Sequence, residues 1–393
     1  MNTTKILRHI NAARCLRLLR TSGSVSRADM ARLLGLNRST TGHAIAALLE
    51  AGLVAELEEP VSDGPGRKGR PGVRVALAAS GAYAIGLDVG TRELSGVLID
   101  LQMGTVCQTT LPAGPDFRHA PAVLDKLHAL TTTLLGQGGI DPAKVLGVGV
   151  SVPGLVDRQG RVVNAPFLEW RDFDLTGHLR DRLPPDWRIE ARNDADCFAA
   201  AECAAMPPDP ADHLNHVDHL DHFLVLLLNE GIGSALVSGG AVVQGAHGHA
   251  GEIGHALVRT PEGVASFDQV AGAIAFSAFF AADCPVSEGV ALLMRRRQEP
   301  GVAAALSRWA TDLGLGLVNA VHLLDPGRIV LGGALSNLYP LVADQVTALL
   351  SRHLIHGFSV PPIAVTRFGP DGAAIGAAAV VRESVFELPR VGA

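Results

Sequence analysis

Residues 87–100 read LDVGTRELSGVLID. An apolar run carries Asp88 into a glycine turn, and a second apolar run leaves it. A strand, turn and strand of this form can hold a phosphate on the backbone amides of the turn. The turn itself, Val89-Gly90-Thr91-Arg92-Glu93, has one glycine and an acid. The reading of the whole chain depends on whether this hairpin holds a nucleotide or is the shell of a site that once did.

On either side of the hairpin the chain alternates strands and helices. AIGLDVG (84–90), LSGVLIDL (94–101) and TVCQTTLPA (105–113) read as successive strands joined by tight turns. A helical stretch follows near residues 120–136, then VLGVGVSVPGLVD (145–157), a buried strand running into a Pro-Gly turn. RIEARNDADCFAAAECAAM (188–206) is a strand, a polar turn and an Ala-rich helix. HFLVLLLNEGIGSALVSGGAVVQG (222–245) repeats the strand–glycine turn–strand unit, so the body has two similar halves. GRIVLGGALS (327–336) is a third such strand and turn, and DGAAIGAAAVVRE (371–383) is a closing helix. Strands alternating with helices predict α/β lobes with a cleft between them.

Upstream of residue 80 the pattern is different. Residues 4–21 put Ile6, Ile10, Ala13, Leu16 and Leu19 near one helical face, and Ser22-Gly23 ends it. In SRADMARLLGLNRSTTGHAIAALLEAGLV (26–54), Ser26 is a good N-cap for a helix with Met30, Leu33 and Leu34 inward. Gly35 permits the left-handed turn that stops it, and Asn37 caps the next helix, with its stripe of Ile45, Leu48 and Leu49. This is a helix-turn-helix unit. Its second helix opens with Arg38, Ser39, Thr40, Thr41 and His43, small or hydrogen-bonding side chains at the end that enters a major groove. Gly52 closes the helix and LVAELEE reads as a strand. The loop GPGRKGRPGVRVAL (64–77) then gathers Arg67, Lys68, Arg70 and Arg74 among glycines and prolines before VRVAL returns as a strand. Glycine allows close approach to a groove, and the cations neutralise phosphates. Residues 1–78 therefore read as a winged helix-turn-helix that binds double-stranded operator DNA.

Charge agrees with this division. Residues 1–80 hold 12 Lys/Arg and 6 Asp/Glu, +6; the rest hold 21 and 33, −12. A basic head on an acidic body suits a polyanion at the head and not at the body. The chain of 393 residues is 48% hydrophobic and 18% charged, a globular balance with room for two or three domains. No apolar run reaches the roughly 20 residues of a membrane span. The basic N-terminus lacks a long apolar core and a small-residue cleavage site, so it does not read as a signal peptide. Cys15, Cys107, Cys197, Cys203 and Cys284 are scattered without metal-ligand spacing, which fits a reducing cytoplasm.

LDVGTREL, VSVPGLVD, ARNDAD, NEGIGSALVSGG, HAGEIGH and DPGRIVLGG occur in that order. Together they make residues 80–385 resemble the ROK family (repressors, open reading frames and sugar kinases) of the actin-like ATPase superfamily. The head resembles the winged helix of its repressor branch, including the GRPG wing. The resemblance implies an α/β fold: an N-terminal winged helix-turn-helix followed by two actin-like, ribonuclease-H-like lobes closing on a sugar. It places the first lobe at 79–192 with a closing C-terminal helix at 371–388, and the second lobe at 193–370. Asn193 and Asp194 match a pair that binds a sugar hydroxyl, Asp194 standing at the kinase base position. Glu252 and His255 match further sugar contacts, and Asp268, in SFDQ, is the best match for another. As a local motif, Asn193-Asp194 also reads as an Asx turn capping the following helix, and Pro153-Gly154 as a turn supporting the cleft.

This sequence departs from the kinase pattern at the phosphate side. Family kinases carry two glycines and a threonine in the first loop, where Thr91 and Arg92 stand here. The second loop, Gly-Thr-Gly in the family, is Asn229-Glu230-Gly231. A glutamate repels a triphosphate, and a lost glycine puts a side chain where amides should cradle oxygens. His255 matches a family zinc ligand, but ALVRTPEGVASFDQVAGA (256–273) lacks the three cysteines that complete the site, so zinc is not expected and no cofactor is assigned. Phe167 stands where the family often has a polar residue. DHLNHVDHLDH (212–222) spaces His213, His216, His219 and His222 three apart, a pattern read here as an exposed insertion. His247 and His249 read as packing residues.

The expected function is a sugar-responsive transcriptional regulator of carbohydrate-metabolism genes, more a repressor than an enzyme, with a sugar or sugar phosphate as effector. Such heads read palindromic operators, which implies a homo-oligomer, dimer or tetramer. The alternatives are an active sugar kinase with a regulatory head, whose turnover depends on Asp194, and a constitutive DNA-binding protein whose body only dimerises.

Overall fold

The computed structural model describes residues 3–57, 73–90, 92–205, 221–261, 263–281 and 284–387. In the head, α1 (Thr3–Ser22) is followed by β1 (Ser24–Ser26), α2 (Arg27–Leu34), α3 (Arg38–Glu50), β2 (Val54–Leu57) and β3 (Arg74–Leu77). The caps fall on the expected residues. Ser26 Oγ accepts from Asp29 N at 3.1 Å, and Asn37 Oδ1 accepts from Thr40 N at 2.7 Å. Gly35 turns the chain between α2 and α3 at φ +62°, a left-handed conformation that glycine adopts without Cβ strain. β3 lies between β1 and β2 in an antiparallel sheet. Met30, Ile45 and Leu48 are buried against Leu16 and Leu19 of α1. Leu33, expected inward, is 39% exposed, while Ala31 is buried. An eight-residue helix has one narrow inner stripe, and its neighbour on the next position turns away.

The first half of the body runs β4 (Tyr83–Val89), β5 (Glu93–Asp100), β6 (Thr105–Pro112), α4 (Ala120–Gly138), β7 (Val145–Val152), β8 (Leu155–Val156), β9 (Val162–Ala165), β10 (Trp170–Phe173), α5 (Leu175–Arg180) and β11 (Arg188–Asn193). Its main sheet is ordered β11-β7-β4-β5-β6, parallel at β4/β7 and β7/β11 and antiparallel through the two hairpins. The second half runs α6 (Asp194–Ala204), β12 (Phe223–Leu228), β13 (Ile232–Ser238), β14 (Ala241–Val242), β15 (Leu257–Thr260), β16 (Gly263–Ser266), α7 (Phe267–Ala271), α8 (Val286–Arg295), α9 (Pro300–Leu324), β17 (Arg328–Gly332), α10 (Ala343–His353), β18 (Ile363–Val365) and α11 (Gly372–Arg382). Its sheet, β14-β13-β12-β17-β18, has the same plan: an antiparallel pair of hairpins on one side of the first strand, parallel strands on the other. The two halves thus repeat one topology, as the repeated strand–turn–strand units predict. In each, the carboxyl ends of the parallel strands share one edge, where α/β sheets bind ligands.

α4 covers the first sheet through Leu127, Leu130 and Leu134, and α9 covers the second through Trp309, Leu313 and Leu317. α11, the last helix among the described residues, returns to the first sheet: Ala374 and Ala378 pack on Ala84, Val97 and Ile99. The head does not have a core to itself. Its apolar cluster takes in Ala82, Leu101 and Phe386 from the body. Among the described residues, no helix is long and apolar enough to cross a membrane.

Candidate functional site

The cleft site is built at the β11–α6 junction. Asn193 ends β11, and its Oδ1 accepts from Ala195 N at 2.8 Å and from Asp196 N at 3.3 Å. This is the Asx cap that the local motif predicts. Asn193 Nδ2 donates to Gly154 O at 3.0 Å, so the Pro153-Gly154 turn does support the cleft. Asn193 is therefore a structural cap first, with one amide hydrogen left for a ligand. Asp194, at the start of α6, has its Oδ1 on Ala195 N at 2.9 Å.

Around Asp194 the fold gathers groups far apart in sequence. A Cβ at Gly233 would lie 3.6 Å from Asp194 Oδ1, and one at Gly231 would lie 3.7 Å from Asp268 Oδ2. Both carboxylates thus border the β12–β13 turn. Ser234 of β13 holds the GEIGH segment: its hydroxyl donates to Gly251 O and accepts from Ile253 N. That places Glu252 just before the turn Ile253–His255. His255 lies between two acids, Nε2 3.8 Å from Glu252 Oε2 and Nδ1 3.9 Å from Asp268 Oδ2. Ser266 Oγ donates to Asp268 Oδ1 and steadies it. Asn193, Asp194, Glu252, His255 and Asp268 lie in one region: the charge of Glu252 acts on Asp194, and His255 stands between Glu252 and Asp268. Among the described residues no group of three or more His, Cys, Asp and Glu side chains is arranged to hold a metal ion.

Asp88 belongs with this group, and the sequence reading gave it no role. It sits on β4 and accepts from Ser151 Oγ of β7 at 2.6 Å. The signal for it was a carboxylate in an otherwise apolar strand. Asp88 is pushed up to about 6, first by burial, with Ser151 pulling the other way and Glu93 and Asp371 adding to the rise. Asp194 is pushed up to about 7 by burial and then by the charge of Asp88. Both are half-buried. Asp196, buried one turn into α6, is also raised to about 7 by burial, against the pull of Arg192.

These shifts have one sign. A carboxyl raised in the folded state binds more protons than in the unfolded chain, so its contribution to stability is full below about 4 and is lost as pH rises through about 7. Stability is expected to fall over that range. Asp196→Asn is expected to raise the melting temperature at pH 8 and to leave it unchanged at pH 4, the gain being on the order of a few kcal/mol at about 1.4 kcal/mol per unit. Thermal melts of both proteins across pH 4–8 check this; an equal effect at both ends would refute the assignment.

The two glycine turns are bonded internally. Gly90 N donates to Glu93 O at 3.1 Å, and Asn229 N donates to Gly231 O at 3.0 Å. Asn229 Oδ1 accepts from Ala334 N at 2.7 Å. Thr91 lies outside the described residues.

In the head, Arg38, Ser39 and His43 are exposed on α3, and Thr40 is half-buried. Thr41 corrects the expectation of a DNA contact: it is 1% exposed and its hydroxyl donates to Asn37 O at 3.1 Å. It stands three residues from Ala44 and four from Ile45, on the face turned to the core. Arg74 is fastened to Ser24, through Nε on Oγ at 3.0 Å and a second bond to Ser24 O. Arg67, Lys68 and Arg70 of the expected wing lie outside the described residues, as do His213, His216 and His219. His222, the last of that run, meets Ser238 Oγ through Nδ1 at 3.1 Å.

Comparison with known proteins adds three observations. The family model described as "ROK family" matches residues 84–384. The xylose repressor of Bacillus spizizenii is 23% identical and covers 98% of both chains, whereas an N-acetyl-D-glucosamine kinase of Yersinia pseudotuberculosis is 25% identical over 75% of this chain and 97% of its own. Among solved structures, a ROK family transcriptional regulator described as a homolog of the E. coli MLC protein superposes with a TM-score of 0.75 over 97% of both chains at 20% identity. A ROK family glucokinase from Streptomyces griseus, in complex with glucose and AMPPNP, superposes at 0.62 over 77% of this chain and 100% of its own at 21% identity.

Proposed function

Because this chain belongs to the ROK family, we propose that it is a sugar-responsive DNA-binding repressor of carbohydrate-metabolism genes, with the effector held in the cleft. The observation that carries this reading is the extent of the matches. Relatives named as repressors match end to end, head included, while the kinases match about three quarters of the chain. The exposed start of α3 and the basic wing supply the DNA contacts: Arg38, Ser39 and His43 at base edges, Arg67, Lys68 and Arg70 at phosphates. Asp194, Glu252, His255 and Asp268 offer the acceptors and donors that a polyol needs, with Asn193 adding one N–H. A homodimer would set two recognition helices about one turn of DNA apart. The domain division proposed is 1–78 for the head, 79–192 with the closing helix for the first lobe and 193–370 for the second.

Phosphoryl transfer is the second reading, because an aspartate near 7 at position 194 suits a general base. Against it stand the acid in each glycine turn and the amides of Gly90 and Asn229, already bonded within their turns. A phosphate cradle needs those donors. The test is a thermal-shift screen of sugars and sugar phosphates, with ATP alone in a separate well, followed by operator titrations with the best ligand. A sugar is expected to raise the melting point by several degrees, since a ligand at 100 times its Kd contributes about 2.7 kcal/mol. It is also expected to release the operator, and ATP to do neither. Transfer of phosphate from ATP to a sugar at an enzyme-like rate would overturn the proposal in favour of the kinase.

A further inference from the structure

We infer that α6 and α11 act as a lever, carrying a change at the cleft to the DNA-reading head through the turn Glu383–Phe386. The inference rests on the sugar-response reading above and gives it a route.

α6 starts at the site, with Asn193 as its cap and Asp194 as its first residue. Its inner face belongs to the second sheet, where Ala195, Phe198 and Ala199 pack with Phe223, Val225 and Ala235. α11 belongs to the first sheet. There the contact is backbone on backbone: a Cβ at Gly86 of β4 would lie 1.8 Å from Ala374 O. The two helices meet in the same way, since a Cβ at Gly376 would lie 1.6 Å from Cys197 O. One helix moves with each sheet, so a change in the angle between the sheets must be taken up where they cross. One turn away the Phe198 ring of α6 seats on Gly372 of α11, where a Cβ would lie 2.2 Å from the ring, so the crossing is close-packed and a shift of α6 is passed to α11.

The far end of α11 is built differently. After Arg382 the chain makes a short 3-10 turn and enters the head's core, where Phe386 is 2% exposed among Cys15, Leu16 and Leu19. Arg17 Nε donates to Phe386 O at 2.7 Å. Arg20 pairs with Glu383 and lies over the Phe386 ring at 5.3 Å. Arg382, 3% exposed, lies over the same ring at 5.0 Å and donates from Nε to Leu101 O at 2.7 Å. A buried guanidinium is costly unless its partners are fixed, and here they fix the direction in which α11 leaves the body. A close-packed crossing at one end and a stiff joint to α1 at the other are the two parts of a lever. α1 in turn packs on α3, which carries Arg38, Ser39 and His43.

The test measures operator Kd with and without a saturating sugar in the full chain, for the parent, Phe386→Ala, R20E, E383R and the double swap R20E/E383R. Sugar is expected to change the parent's operator Kd by about 5- to 150-fold, the usual range of such coupling. That change is expected to fall below about threefold in Phe386→Ala and to shrink in each single swap. Sugar Kd is expected to stay within about twofold of the parent's throughout. The double swap is expected to restore part of the response, because it rebuilds the pair between positions 20 and 383 but not the bond of Glu383 to Arg382 at 3.3 Å; lost packing or lower stability alone would restore none. If the parent responds and the single swaps respond equally, the lever is wrong while the functional reading stands. If the parent's operator Kd ignores every sugar that binds, both fall. If Phe386→Ala does not fold, the swaps decide alone.

Discussion

Arg38→Ala is expected to weaken operator binding by roughly 10- to 100-fold while leaving the melting temperature in place, a specific base contact being worth about 1–3 kcal/mol. Arg38 is the first residue of α3 and is exposed. The cap beneath it is made by Asn37 Oδ1 on Thr40 N, which the substitution does not touch. Loss of affinity therefore reports a lost contact, not a lost helix. Fluorescence anisotropy with the operator and with scrambled DNA separates the two kinds of contact. Arg38→Ala should narrow the gap between them, whereas Arg70→Ala, at the wing, should weaken both alike and lower the salt dependence. Unchanged operator affinity in Arg38→Ala would remove α3 as the reading helix. Thr41→Ala gives a contrast: a side chain already turned into the head has no base to reach.

Glu252→Ala is expected to raise the sugar Kd by about 10- to 100-fold and to leave sugar-free operator binding unchanged, because hydrogen bonds to a charged group are worth about 1.5–3 kcal/mol. Glu252 is a cleaner probe than Asn193. Removing Asn193 also strips the cap of α6 and the bond to Gly154, so a lost response there mixes binding with folding. Glu252 makes no side-chain cap bond; His255 stands 3.8 Å from it, and its charge is felt by Asp194 and Asp196. Calorimetric titration of the sugar identified in the screen decides the matter. An unaltered sugar Kd would move the effector out of this part of the cleft.

Much of the architecture was legible because local chemistry repeats itself. Ser26, Gly35 and Asn37 were readable as caps and turn since each does its work within three residues of its own position. The two halves were readable because strand–glycine turn–strand units recur with the same apolar spacing. The site was only partly legible. Asn193 reads as an Asx turn or as a ligand from the same two letters, and in the fold its oxygen is a cap. Thr41 and Leu33 were misplaced because short helices of small or mixed residues leave their rotation undetermined until the core closes on them.

Order along the chain thus told which elements form, how they repeat, and which residue types could meet DNA or a polyol, since helix period, caps and glycine turns act over a few residues. Only the packed chain decided that Asp88 and Asp194 share one cleft floor, that α11 crosses α6 at Gly376, and that Phe386 closes the head's core. Those neighbours stand far apart in sequence. Their meeting depends on how the two sheets and the head stack, and no local spacing carries that information.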